Sequence, residues 1–307
     1  MNSFADFNNY RHRVLTTAAG KIYSLPINLK TINQFYNLNL PPNEAAAFLK
    51  SKTSVIPNPA NLEEMAISLI GLELYEALIK GYTIKQWGCD PRKLPAEVIA
   101  RLPVRTSEND TYYDDNYQGM PIGGYTPIFE KLLHDIPVEL KTDFFDKRDY
   151  WKSLARTIVY TGPIDRYFDY RFGKLSWRSC RFESERMPLD DYQKISVMNY
   201  ADLGIPYTRS IEPKHFYPER TGLSPGTVVI REYPCDDPSE PYYPVGLKAD
   251  KERLMKYQKA QALEKDVTFG GRLAEYKYYD MYQVIAKALE LAGKISSAHR
   301  LSSGIRV

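Results

Sequence analysis

The stretch MAISLIGLELYEALIKGY, residues 65–82, would be apolar on nearly every face of a helix. Such a helix cannot lie on a surface; other elements have to bury it. Asn61 opens it as an N-cap, and Glu63 and Glu64 put acids in its first turn, where the helix dipole favours them. The helical pattern extends on both sides, from Thr31 to about Leu102. Pro42-Asn43-Glu44 starts one neighbouring helix, and Pro95 marks a short one over AEVIARL. The spacing predicts a small helical bundle here.

Outside this region strands dominate. KIYSLPIN (21–28) reads as a short strand ending at proline. VELKTDF (138–144), RTIVYTG (156–162), LSWRSCRFE (175–183), KISVMNY (194–200) and GTVVIREY (226–233) are β-branched and aromatic, bounded by turn residues. TPIFEKLLHD (126–135) and KADKERLMKYQKAQAL (248–263) read as helices among them. Near the end, VTFGGRLAEYKYYDM predicts a strand, a turn at Gly270-Gly271, Arg272, and a helix through Gln283–Ala292. A strand that breaks at glycines into a helix often holds an anionic group at the helix N-terminus. The class is therefore α/β or α+β, mixed, with a helical insertion.

The chain's 307 residues suffice for a substantial core, and a net charge of +3 gives no reason to expect nucleic acid or a membrane surface. No apolar run reaches 18 residues and the first residues have no signal-peptide core, so no membrane span is expected. Cys89, Cys180 and Cys235 are sparse and odd in number, which fits a reducing cytosol better than a disulfide framework. The four histidines have no ligand spacing, so no metal site is expected. Tyrosine outnumbers phenylalanine 25 to 12, which suits either a core or a polar cleft for sugars or bases.

Four segments carry possible chemistry beside that C-terminal unit. GYTIKQWG (81–88) places Lys85 and Gln86 between Tyr82 and Trp87, which is either a helix end with two core aromatics or an aromatic platform. RLPVR (101–105), followed by Tyr112, is either a surface charge pair or a phosphate clamp, since Arg forks match phosphate oxygens. NYADLGIPYTRSIEPKHF (199–216) carries Arg209. PYYPV (241–245) fixes Tyr243 between prolines. No GxSxG, HExxH, P-loop or GxGxxG pattern occurs. By themselves these residues suit a phosphorylated ligand and name no reaction.

Taken together, the segments resemble the UDP-galactopyranose mutase family. The matching stretches are SLPINLKTINQFY (24–36), GYTIKQWG, RLPVR, QGMPIGGYTPIFEKLL (118–133), VYTGPIDRYFDYRFGKLSWRS (159–179), NYADLGIPYTRSIEPKHF, PYYPV and GGRLAEYKYYDM (270–281), in the family's order. The resemblance implies interconversion of UDP-galactopyranose and UDP-galactofuranose: N5 of a reduced flavin attacks the anomeric carbon, UDP leaves, and the ring opens and recloses. It implies that Arg101 and Arg209 hold the two phosphates. Tyr82 stacks on uracil and Trp87 lines the sugar pocket. Tyr112, Tyr243 and Tyr278 bond the diphosphate near the flavin. Arg101, Arg209 and Tyr278 are thus the residues expected at the reacting diphosphate. Gly271, Arg272, Tyr278, Asp280, Met281 and His12 are expected at the flavin.

The same resemblance divides the chain. A reduced flavin-binding α/β domain comprises 1–28, 126–165 and 265–307. A helical domain with a mobile substrate loop spans 29–103, and an antiparallel sheet domain spans 104–125 and 166–264. The family opens with a GxGxxG dinucleotide-binding segment that this sequence lacks, so FMN is expected at least as readily as FAD. His12 stands where the family usually has Asn, and Leu78 and Ile79 replace aromatics usual beside the uridine. A cytoplasmic homodimer supplied by an electron donor is expected. A non-catalytic UDP-sugar-binding protein, or a fragment needing a separate dinucleotide-binding partner, are the alternatives.

Overall fold

A computed structural model describes residues 1–100, 103–220, 225–237 and 239–302. The chain forms two compact units, each assembled from two stretches: 1–138 with 180–235, and 139–179 with 236–307.

Unit 1 begins with the hairpin β1 (Val14–Ala18) and β2 (Lys21–Leu25). Alternate residues of β1 are buried, as one covered sheet face requires. The helices α1 (Leu29–Tyr36), α2 (Pro42–Lys52) and α3 (Leu62–Ile70) follow. Asn28 and Asn61 cap α1 and α3 by accepting from the Thr31 and Glu64 amides, and Glu64 reaches back to the Ala60 amide.

The apolar stretch at 65–82 is not one helix. Gly71 breaks it with φ +79°, and a Cβ there would lie 2.5 Å from the Lys52 carbonyl oxygen. The chain restarts as α4 (Leu72–Leu74), widens into a π-helical stretch (Tyr75–Lys80), and tightens again as α5 (Gly81–Trp87). Leu62, Ala66, Ile70, Leu74 and Leu78 are buried at four-residue steps, while Leu72 is 55% exposed. The segment therefore buries one broad stripe rather than every face. The short helices α6 (Glu97–Ala100) and α7 (Thr126–Leu132) complete this part.

The chain then enters unit 2. VELKTDF forms no strand; it runs irregularly into a 3-10 turn (Phe144–Lys147) and α8 (Arg148–Leu154). Asp143 caps that turn by accepting from the Phe145 amide, a local bond that competes with strand pairing. The strand β3 (Ile158–Tyr160) and helix α9 (Ile164–Tyr167) come next. Strand β4 (Trp177–Met187) leads back into unit 1. There β5 (Val197–Tyr200), β6 (Arg209–Ile211) and β7 (Thr227–Cys235) complete a sheet in the order β2-β1-β5-β6-β7-β4. β1 and β5 run parallel, whereas β1–β2, β5–β6 and β6–β7 are antiparallel.

In unit 2 the first residues of β4 pair with β8 (Tyr243–Pro244). Helix α10 (Lys248–Gln261), strand β9 (Val267–Phe269) and helix α11 (Met281–Ser302) finish the chain. β9 pairs in parallel with β3. The unit's core is aromatic: Tyr160, Tyr167, Phe168, Tyr257, Phe269 and Tyr276 are buried together. Its polar centre is Asp250, which accepts from the Ser176 amide at 3.1 Å and the Leu247 amide at 3.0 Å. Among the described residues no helix is long and apolar enough to cross a membrane.

Candidate functional site

The expected site residues fall on both units, and each half is a structure in its own right. In unit 1, Arg209 opens β6 and faces Glu232 across the antiparallel register with β7. Its Nε lies 3.3 Å from the Glu232 carboxylate, which is almost wholly buried. On its other side Nη2 donates to the Tyr82 hydroxyl at 2.7 Å. Tyr82 sits in the first turn of α5, and Trp87, at its end, is buried. Gly88 ends the helix in the left-handed conformation. Two expected substrate residues, Tyr82 and Arg209, are thus in direct contact.

His12 and Tyr112 form a second group in this unit. The Tyr112 amide donates to the His12 carbonyl at 2.7 Å, and the two rings meet edge-on at 5.3 Å. The Tyr10 hydroxyl bonds both His12 Nδ1, at 2.8 Å, and Ser196 Oγ. Burial lowers the His12 pKa to about 4, and the nearby Arg209 charge adds to the effect. The imidazole is therefore neutral at neutral pH. Burial raises the Tyr10 pKa to about 12, so that phenol keeps its proton. Arg101 lies outside the described residues.

In unit 2, Arg272, Tyr243 and Tyr278 form one cluster. The guanidinium lies over both rings, 4.9 Å from the Tyr243 centroid and 4.4 Å from that of Tyr278. The rings themselves meet edge-on at 5.2 Å. Two of the guanidinium nitrogens, Nε and Nη2, are buried without a hydrogen-bond partner. Buried donors in native proteins are almost always paired, so this pair of N–H groups points to an acceptor supplied from outside. Gly271, next in the chain, has φ +89°, and a Cβ there would meet nothing closer than Thr161 Cβ at 4.0 Å. Asp280 precedes α11, its amide donating to Gln283, and Met281 begins the helix. These residues fit a carbonyl- or phosphate-bearing group such as the expected flavin: charged donors on a stiff aromatic support, beside open space.

Three features escaped sequence reading. Glu232 gives no signal beyond an Arg-Glu pair inside a strand. Lys85 turns away from any platform role; its ammonium donates to the carbonyls of Tyr200, Asp202, Ile205 and Tyr207. Asp191, Glu212 and His215 bring three possible metal-ligand atoms within 4.8 Å of one another. There Glu212 also accepts from the Tyr192 and Gln193 amides, which ties its carboxylate to the turn before β5.

A sequence profile described as UDP-galactopyranose mutase matches residues 77–278. A probable UDP-galactopyranose mutase of Klebsiella pneumoniae is 41% identical over 305 residues, 97% of this chain and 77% of the relative. The dTDP-fucopyranose mutase of Escherichia coli is 39% identical over 300 residues, 95% of this chain and 79% of that protein. The UDP-galactopyranose mutase of Mycoplasma genitalium is 29% identical, covering 97% of this chain and 78% of its own length. Among solved structures, a reduced UDP-galactopyranose mutase shares the fold, with a TM-score of 0.61 at 13% identity over 89% of this chain and 75% of that one.

Proposed function

Because the chain belongs to the UDP-galactopyranose mutase family, we propose that it interconverts the pyranose and furanose forms of a nucleotide-linked hexose, UDP-galactose in the first instance. The observation that carries this reading is Arg272, whose buried, unpartnered N–H groups are held between Tyr243 and Tyr278. A protein that only bound a UDP-sugar would have no use for a second donor site of this kind beside its Arg209–Tyr82 pair of contacts to the nucleotide.

In this reading unit 1 supplies most of the contacts to the sugar nucleotide and unit 2 those to the flavin. A nucleoside diphosphate carries roughly two negative charges, which Arg forks match bidentately. Arg209 and Arg101 take the phosphates, and Glu232 fixes the plane of the Arg209 guanidinium. Tyr82 stacks on the base while its hydroxyl keeps Arg209 aimed. Trp87 lines the sugar pocket, and Tyr112, Tyr243 and Tyr278 bond the diphosphate. Arg272, Gly271, Asp280 and Met281 hold the flavin, FMN or FAD, and His12 serves it as a neutral hydrogen-bonding ring. When bound, the reduced flavin supplies the nucleophile that takes the anomeric carbon from the diphosphate. A homodimer in the cytoplasm and a separate electron donor belong to the same proposal, on kinship alone.

The 39% identity to a dTDP-fucopyranose mutase favours a second substrate class, a deoxysugar on a thymidine nucleotide. The test is anaerobic turnover of the dithionite-reduced protein with UDP-galactofuranose and, separately, dTDP-fucofuranose, followed by chromatography of the sugar nucleotides. Conversion of one of them to its pyranose form is expected. A flavin-loaded, reduced protein that converts neither would be a binding protein, and the mutase reading would fall. Chromatography of flavin released on denaturation distinguishes FMN from FAD.

A further inference from the structure

We propose that Lys85 is a positioning residue for nucleotide binding: its ammonium fills a cage of main-chain carbonyls and so locks α5, which carries Tyr82 and Trp87, onto the strand that carries Arg209. The cage is the link between β5 and β6. Within it the carbonyl oxygens of Tyr200, Asp202, Ile205 and Tyr207 lie 2.8, 2.9, 3.0 and 3.0 Å from Lys85 Nζ. An ammonium has three hydrogens and a full charge, so it can serve converging carbonyls that no single neutral donor could satisfy.

The approach is prepared one helical turn earlier. Gly81 and Lys85 are four residues apart and share a face of α5. A Cβ at Gly81 would collide with the Ala201 carbonyl oxygen, so only glycine lets the helix come this close to the link. The link is tied on its far side as well, since the Asp202 carboxylate accepts from the Ala19 amide at 3.1 Å. Lys85 therefore bridges a helix and a link that are each anchored elsewhere. Burial lowers the ammonium's pKa to about 8, while the Asp202 charge works to raise it. Desolvating the charge is costly, and the converging carbonyl dipoles offset that cost only while the cage keeps its shape. Arg209 begins the strand two residues after the last cage carbonyl, and its bond to Tyr82 joins that strand to the same helix. Loosening the cage should therefore misplace the Arg209–Tyr82 pair without removing either residue.

The inference rests on the nucleotide-sugar reading of unit 1, and the experiment separates the two. Lys85→Met keeps the aliphatic stem and the fold but removes the charge; Lys85→Ala leaves room for a free ion. In both, the affinity for UDP measured by calorimetry should fall about tenfold or more, and amide exchange across 200–211 should speed up. Added ammonium or potassium chloride should restore slow exchange and UDP affinity to Lys85→Ala but not to Lys85→Met, whose stem occupies the cage. Tetramethylammonium chloride, too large for the cage, should restore neither. Wild-type UDP affinity in both variants overturns the proposal, as does exchange that stays slow or is indifferent to the small cations. If the wild-type protein binds neither UDP nor dTDP, the nucleotide reading fails instead, and the exchange data still decide the cage.

Discussion

Arg209 Nη2 donates to the Tyr82 hydroxyl at 2.7 Å while its Nε faces the buried Glu232 carboxylate at 3.3 Å. The guanidinium is thus held from both sides, which suits the phosphate role proposed for it. Losing Arg209 outright removes a charge-stabilising donor, an effect on the order of 10²–10³ in kcat. Losing only its orientation costs less, and Glu232→Gln should lower kcat/KM about tenfold. Both variants should keep the bound flavin's absorbance spectrum. Steady-state kinetics beside that spectrum check this; full activity in Arg209→Ala would refute the phosphate assignment.

Arg272→Met should produce a protein that holds no flavin yet is at least as stable as the flavin-free wild type. Two buried guanidinium N–H groups without acceptors cost about 1–3 kcal/mol each. The cation–π stacking lost on Tyr243 and Tyr278 is worth only about 1–2 kcal/mol. Removing the donors therefore gains more than it loses when no ligand is present. Urea unfolding of both flavin-free proteins tests the balance, and a variant less stable by more than about 1 kcal/mol would contradict it.

Stability should fall in mild acid through His12. The folded-state pKa of about 4 lies below the ordinary 6.5, so between those values the unfolded chain binds the extra proton. The neutral ring's contribution is complete above pH 6.5 and is lost as pH falls through 4. At 1.36 kcal/mol per pKa unit it amounts to about 3 kcal/mol. His12→Asn should flatten the urea midpoint over this window relative to wild type. Equal slopes in the two proteins would show that other groups govern the acid response.

The Asp250 carboxylate organises unit 2 and is fully buried. It accepts from the Ser176 amide and hydroxyl and the Leu247 amide, and the Tyr276 hydroxyl lies 3.1 Å from Oδ2. Asp250→Ala strands several of these groups at once, each costing about 1–3 kcal/mol. The expected loss is at least about 3 kcal/mol, read from chemical denaturation, together with loss of flavin. A change below about 1 kcal/mol would mean that the neighbours find other partners.

What could be read from the chain alone was local. Asn61 caps its helix as its residue type foretells, and TPIFEKLLHD, KADKERLMKYQKAQAL and GTVVIREY form the expected elements. Arg209 and Arg272 stand out in the sequence only because their neighbours resemble those of a family. What failed needed tertiary knowledge. The break at Gly71 follows from a carbonyl of α2, and VELKTDF runs irregularly into a 3-10 turn that Asp143 caps. Glu232 becomes significant only when the β6–β7 register places it opposite Arg209. The partners of Lys85 are main-chain oxygens, which carry no side-chain signature at all.

The parallel pairing of β3 with β9 joins Ile158–Tyr160 to Val267–Phe269, with most of β4 and all of β5, β6 and β7 lying between them in the chain as parts of unit 1. On a ribosome, unit 1 has all its parts once Cys235 has emerged, whereas β3 must wait for Phe269. Folding is therefore ordered in time, and the Arg209 side can be complete while the Arg272 side is still an open chain. A nascent protein stalled between those two points would carry a finished unit 1 together with unit 2 aromatic residues such as Tyr160, Tyr167 and Phe168 that still lack their core partners, a form that calls for a chaperone.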